Sequence, residues 1–395
     1  MSLPKPAAHV LRRTMRGRDP GEEHRTATTL ELFFDLCFVV AVSQASIQFA
    51  EQVLEGHAAH GLAYYAAVFF AIWWAWMGFS WFASAYDTDD VPYRLAVFVQ
   101  MAGALVLAAG VPEAFAGDFT VITIGYAIMR ISSVSQWIRA AVEDPDPARA
   151  RVARRYAIGI SVLQAGWIGR LWMPEAWQLW FFIVLVAGEL LVPVISERDA
   201  PSAWHPEHIA ERFGLFTLIV LGETVKSATI AVQHALDGAH LLQLSLLALG
   251  GLLTVFTMWW MYFARPNDEG LVTDNRQAFR WGYGHYLVLG SAAAVGTGLE
   301  IGAALLDGHG HISAFAGAWV FSTAVAVFVT VTWLLHVRPH GSKAARSLLH
   351  PAVALLVLLT PFTPEPYLAT GLLMTVLLAL SLYNANRTTR RKAFL

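Results

Sequence analysis

Glu31 and Asp35 open an otherwise apolar run, Thr28-Thr-Leu-Glu31-Leu-Phe-Phe-Asp35-Leu36. A spacing of four puts both carboxylates on one face of a helix. Thr28 with Glu31 also forms a capping-box pair, so Glu31 reads equally as a cap and as a functional acid. Asp35 lies one turn deeper, where an ionised group needs a cation, a proton or water, and it is read first as functional. A second constellation is Gly222-Glu223-Thr-Val-Lys226. Its two charges are three apart and pair along a helix, about a dozen residues into an apolar run. An internal ion pair is the bland explanation, a pathway or binding site the sharper one. Arg130 and Glu189 sit at matching depths in two other runs and are expected to pair. His285, between Gly284 and Tyr286, is either a proton carrier or a packed, hydrogen-bonded residue. Glu300 is a further acid inside an apolar run.

Tyr86-Asp87-Thr88-Asp89-Asp90 precedes Arg94, and Asp268-Glu269 follows a similar aromatic stretch later on. Several carboxylates within four residues suit a hard cation such as Mg²⁺, or a phosphate through it, with Arg94 neutralising charge. Solvated, helix-capping aspartates are the competing reading. Trp81, Phe82 and Tyr86, then Tyr262 and Phe263, stand just before these acidic loops. They read as interfacial anchors or packing, or as the wall of a chamber for an organic cation. No phosphate-binding glycine loop, zinc motif or nucleophile elbow is present.

These residues must be positioned by helices in a membrane. The chain is 56% hydrophobic and 14% charged, against roughly a quarter charged in ordinary soluble domains. About twelve apolar segments are long enough, or nearly so, to span: 30–50, 61–86, 94–116, 119–141, 153–172, 176–196, 209–234, 241–264, 280–306, 314–337, 346–361 and 366–385. Pro351 and Pro361 shorten the eleventh, which is open to a re-entrant reading. Of the 27 Lys and Arg, all but Arg130, Arg170 and Lys226 fall in the tails or in alternate connectors. Both termini are therefore expected in the cytoplasm of a bacterial inner membrane, with the basic tails against anionic headgroups. No cleavable leader, no disulfide (Cys37 is the lone cysteine) and no nucleic-acid partner is expected.

The expected fold is an all-α polytopic bundle with a basic tail at 1–29, six-helix halves at 30–198 and 208–386, and a basic tail at 387–395. A shift of about 180 residues superposes Glu31 on Glu211 and Asp87 on Asp268, which suggests two parallel repeats.

Three motifs carry a family resemblance. Glu31-Leu-Phe-Phe-Asp35 through Gln44, Phe82-Ala-Ser-Ala-Tyr86-Asp-Thr-Asp-Asp90 through Arg94, and Glu211-Arg212-Phe-Gly through Gly222-Glu223-Thr resemble the bacterial low temperature requirement A family. The match runs from about residue 28 to 385. It implies a many-span inner-membrane protein, with motif residues at Glu31, Asp35, Asp87, Asp89, Asp90, Arg94, Glu211, Arg212, Gly222 and Glu223. It implies no particular reaction.

The first functional expectation is a transporter or channel for a small, ionic solute using the intramembrane carboxylates. The second is a Mg-dependent intramembrane enzyme acting on an isoprenoid or lipid diphosphate. A membrane-organising protein without turnover is the third. The substrate and the oligomeric state are not expressed in the sequence.

Overall fold

A computed structural model describes residues 11–19, 21–22, 25–237, 240–264, 275–340 and 348–393. Among them there is no strand. The helices are α1 (Thr29–Leu54), α2 (Ala58–Tyr86), α3 (Val91–Ala109), α4 (Val111–Phe115), α5 (Thr120–Glu143), α6 (Pro147–Arg170) and α7 (Glu175–Ser196). There follow α8 (Pro206–Asp237), α9 (Leu241–Phe263), α10 (Asn275–Leu306), α11 (Ala314–Thr332), α12 (Leu349–Val357) and α13 (Pro366–Ala393).

Each apolar segment expected to span falls on a helix, and the chain is a polytopic helical membrane protein. Eight helices among the described residues are long and apolar enough to cross a bilayer. The expected count of twelve is not reached on those two criteria, for local reasons. Helices α5, α6 and α8 are long, but carry charges such as Arg130, the arginines at 149–155, and the Glu223–Lys226 pair. Helix α12 has nine residues, about 14 Å of rise, and stops before a 3₁₀ turn at Thr360–Phe362.

Local chemistry also shifts several boundaries. The segment expected at 94–116 breaks at Gly110, which ends α3, and Pro112 opens the short α4. Helix α6 starts at Pro147, six residues before its apolar run, because the Asp146 side chain accepts from the Ala148 N–H and caps it. A π-turn at Trp333–Val337 extends α11.

The chain forms two compact units. The first comprises Met1–Ala41 and Ala71–Arg212. In it α3 packs on α5, α5 on α6 and α6 on α7. Gly125 allows the closest of these approaches, since a Cβ there would lie 2.4 Å from the Leu107 nitrogen. The second unit comprises Val42–Phe70 and Phe213–Leu395. Helix α10 packs on α11 there, and α9 packs on α13 with Gly250 against Gly371. Small residues let backbones meet where lipid supplies no hydrophobic drive between helices.

Candidate functional site

The strongest concentration of buried charge lies in the first unit, where the start of α1 meets the start of α8. Thr28 and Glu31 form the capping box: the Thr28 N–H donates to Glu31 Oε2 at 2.7 Å, and the Glu31 N–H donates to Thr28 Oγ1 at 3.3 Å. Glu31 does more than cap, because His208 Nε2 lies 3.0 Å from its Oε1. One turn on, Arg212 clasps Asp35 through two nitrogens, at 2.7 and 3.0 Å, and Trp76 Nε1 donates to the same carboxylate at 2.7 Å. Both rungs join residues 177 apart, so α1 and the start of α8 run in the same direction, in register. Glu31, Asp35, His208 and Arg212 are each at most 1% exposed.

The walls of this cluster are aromatic and small. The Arg212 guanidinium lies over the Trp76 and Phe79 rings and reaches Ser80 Oγ at 3.3 Å. The Tyr93 hydroxyl and Arg212 Nε are buried without a hydrogen-bonding partner among the described residues. Arg25, 5% exposed, sits within electrostatic reach of Glu31 and Asp87 and donates to the carbonyls of Ala83 and Ser84.

Elsewhere in this unit, Arg130 and Glu189 pair at 2.7 Å in full burial. Trp74 Nε1, the Tyr126 hydroxyl and Trp167 Nε1 donate to the same carboxylate.

The aspartates of the connector after α2 do not converge as a metal site needs. Asp89, in left-handed backbone at φ 47°, is exposed and pairs with Arg94 at 2.8 Å. Asp90 caps α3 through the Tyr93 N–H and grips Arg139 at 2.6 Å. Burial alone would raise its pKa, but Arg139 and the Arg13 and Tyr93 N–H groups hold the carboxyl down at about 2. Among the described residues no three His, Cys, Asp or Glu side chains are placed to share a metal ion. Asp268 and Glu269 lie outside the described residues. Among the described residues, Asp89 and Asp90 are each paired with an arginine.

Asp87 differs from its neighbours. Burial, reinforced by the charge of Glu31, pushes its carboxyl up to about 6. A carboxyl raised on folding opposes folding above that value and ceases to do so as pH falls toward 4. Asp87→Asn is accordingly expected to stabilise the protein by about 1–2 kcal/mol at pH 7.5 and to make no difference near pH 4. Thermal unfolding in detergent at the two pH values measures this, and an equal change at both would refute it.

In the second unit Glu223 and Lys226 pair at 2.6 Å, and Lys226 also reaches Ser43 Oγ at 3.1 Å. This is not the buried pair the sequence suggested, since the side chains are 27% and 52% exposed. The Lys226 face of α8 is open, as is the space beside Gly222. His285 is a packed residue. Its Nδ1–H donates to the Trp281 carbonyl at 2.8 Å, which leaves Nε2 to accept from the Tyr262 hydroxyl at 2.9 Å.

The aromatic residues expected around a chamber pack on other rings. Phe82 contacts Tyr86 and Trp137, Trp81 approaches Trp204, and Tyr262 contacts Phe263. A cavity of about 250 Å³ with Gln243, Leu247, Phe315, Glu365 and Tyr367 in its wall occurs in the second unit. No sequence signal marked it.

Sequence reasoning also missed the partners of the first cluster. His208 and Arg212 are four apart, as Glu31 and Asp35 are, and that matched spacing was the available signal. Arg212 instead read as one of the basic connector residues.

Parallel apolar helices enclosing matched ion pairs define a polytopic membrane protein with a charged interior. The profile of the bacterial low temperature requirement A protein (LtrA) family matches residues 26–382. The chain belongs to that family. It is also similar to an uncharacterized protein of Rhizobium meliloti (strain 1021), at 30% identity over 289 residues, 69% of this chain and 68% of that one.

Proposed function

We propose that this protein is a transporter or channel for a small ionic solute in the bacterial inner membrane, with both termini in the cytoplasm. One observation carries the reading: two successive ion-pair rungs, Glu31–His208 and Asp35–Arg212, are buried between helices that the membrane surrounds. Such groups cost several kcal/mol each to desolvate, and well-packed apolar residues would hold the helices at least as well. Ionisable side chains at this depth ordinarily mark a route for solute or protons.

The chemistry follows from the rungs. A solute anion competes with Asp35 for the planar, bidentate face of Arg212, and a solute cation or a proton competes with Arg212 and His208 for the carboxylates. Exchange of either kind breaks one rung while the other keeps the helices in register. The basic residues of alternate connectors support the orientation.

The test is reconstitution. Purified protein in liposomes is challenged with a panel of small inorganic and organic ions while internal pH and membrane potential are followed. Wild type is expected to move charge or protons with at least one solute, and Asp35→Asn to lose most of that flux. Identical traces for the two proteins across the panel would overturn the proposal.

A further inference from the structure

Residues 12–19, 21–22 and 25–27 lie at one end of the first unit without regular secondary structure, and carboxylates hold their backbone in place. The Arg13 N–H donates to Asp90 at 2.8 Å, Met15 to Glu143 at 2.7 Å, Gly17 to Asp144 at 3.0 Å, and Ala27 to Glu211 at 2.8 Å. The Arg18 N–H donates to the Ala85 carbonyl at 2.9 Å. The Glu22 carbonyl meets His205 Nε2 at 2.8 Å. The Met15 side chain is fully buried, whereas Arg12, Arg13, Thr14 and Arg16 are exposed.

These anchors share helix ends and connectors with the buried cluster. They lie at the end of α2, the start of α3, the end of α5 and the start of α8. Asp87, Tyr93 and His208 occupy the same helix ends and connectors, and Glu31, at the start of α1, pairs with His208. Arg25, a buried side chain of the segment, reaches Glu31 and Asp87 electrostatically.

We propose that the described residues of this segment, 12–19 and 25–27 above all, are a gate over the Glu31–Asp35–His208–Arg212 cluster, shut by hydrogen bonds from their own backbone to carboxylates and opened by exchanging those bonds for water. The inference rests on the transport reading of that cluster and adds its regulation.

Two features distinguish a gate from a fixed part of the fold. Of the five described backbone N–H groups that bond outside the segment, four end on side-chain carboxylates rather than on a helix or sheet ladder, so releasing them leaves every helix bond intact. Its apolar anchorage is little more than Met15, and segments with so few apolar contacts open locally well below the cost of global unfolding. Behind the gate, the Tyr93 hydroxyl and Arg212 Nε offer hydrogen-bonding capacity to whatever enters.

Hydrogen exchange on the full, unmodified chain in detergent is the first test. The amides of Arg13, Met15, Gly17, Arg18 and Ala27 are expected to exchange together, much faster than core amides of α2 and α5. Exchange of those five only at the rate of the α2 and α5 cores would make the segment a fixed part of the fold and end the proposal.

A second measurement asks what the segment covers. In a Cys37→Ser background, Ser80→Cys places a thiol beside Arg212. A charged methanethiosulfonate reagent is expected to label it slowly. Adding Glu143→Ala, which removes the acceptor for the Met15 N–H and for the Arg12 and Arg139 guanidinium groups, is expected to speed labelling about tenfold or more, the worth of one charged hydrogen bond. Arg94→Ala, which removes the partner of Asp89 and no carboxylate that accepts from the segment, leaves the rate alone. A labelling rate unaffected by Glu143→Ala refutes the gate. Neither measurement reads flux, so both outcomes are independent of whether the cluster transports.

Discussion

Arg212→Met is expected to lower the unfolding free energy in detergent by about 3–5 kcal/mol, among the largest single-site losses in the chain. The side chain is fully buried, and its two terminal nitrogens satisfy both oxygens of Asp35, itself 0% exposed. Removing the guanidinium leaves Asp35 with Trp76 Nε1 as its remaining donor and an uncompensated charge among aromatic walls. Asp35→Leu in the same chain should restore most of the loss, because an apolar pair of similar volume carries no desolvation penalty. Chemical denaturation followed by tryptophan fluorescence gives both numbers. If the double variant were no more stable than Arg212→Met, the charge pair would not be the origin of the loss. The restored protein remains unable to move solute on the proposed reading. That separates the stabilising role of the rung from its functional one.

What the sequence reveals here follows from how far apart the interacting residues lie. Helix identity and membrane location were legible because apolar runs and basic connectors are local patterns, and every expected segment falls on a helix. The Arg130–Glu189 pair was legible too, since an isolated arginine and an isolated glutamate at equal depth have few other partners. The rungs were half legible. Glu31 and Asp35 stood out, but the partners 177 residues away were hidden because Arg212 looked like a connector charge at a span's edge. Asp89 and Asp90 stood out as acids, but their arginine partners did not. Adjacent carboxylates suggest convergence, yet the left-handed backbone at Asp89 and the capping role of Asp90 turn them to different arginines. Nor did anything in the basic, run-free start of the chain announce residues 12–19 and 25–27 as a tethered segment. Its partners are backbone N–H groups, which every residue carries.

Glu189 should prove more critical than its partner Arg130. Its carboxylate, 0% exposed, accepts from Arg130 at 2.7 Å, Trp74 at 2.8 Å, Trp167 at 3.1 Å and Tyr126 at 3.2 Å. Deleting a shared acceptor strands every donor at once, whereas deleting one donor leaves the acceptor with three others. Glu189→Leu therefore orphans a buried guanidinium and three ring donors, and is expected to cost about 4–6 kcal/mol or to prevent folding. Arg130→Met leaves Glu189 charged but held by two indoles and a phenol, with an expected loss of about 2–3 kcal/mol. Where Glu189→Leu fails to fold, Glu189→Gln retains one acceptor oxygen and should fall between the two. The order of the three variants in thermal unfolding is the measurement. A loss at Arg130→Met equal to or greater than that at Glu189→Gln would show that the arginine, not the shared carboxylate, organises the interior where α2, α5, α6 and α7 meet.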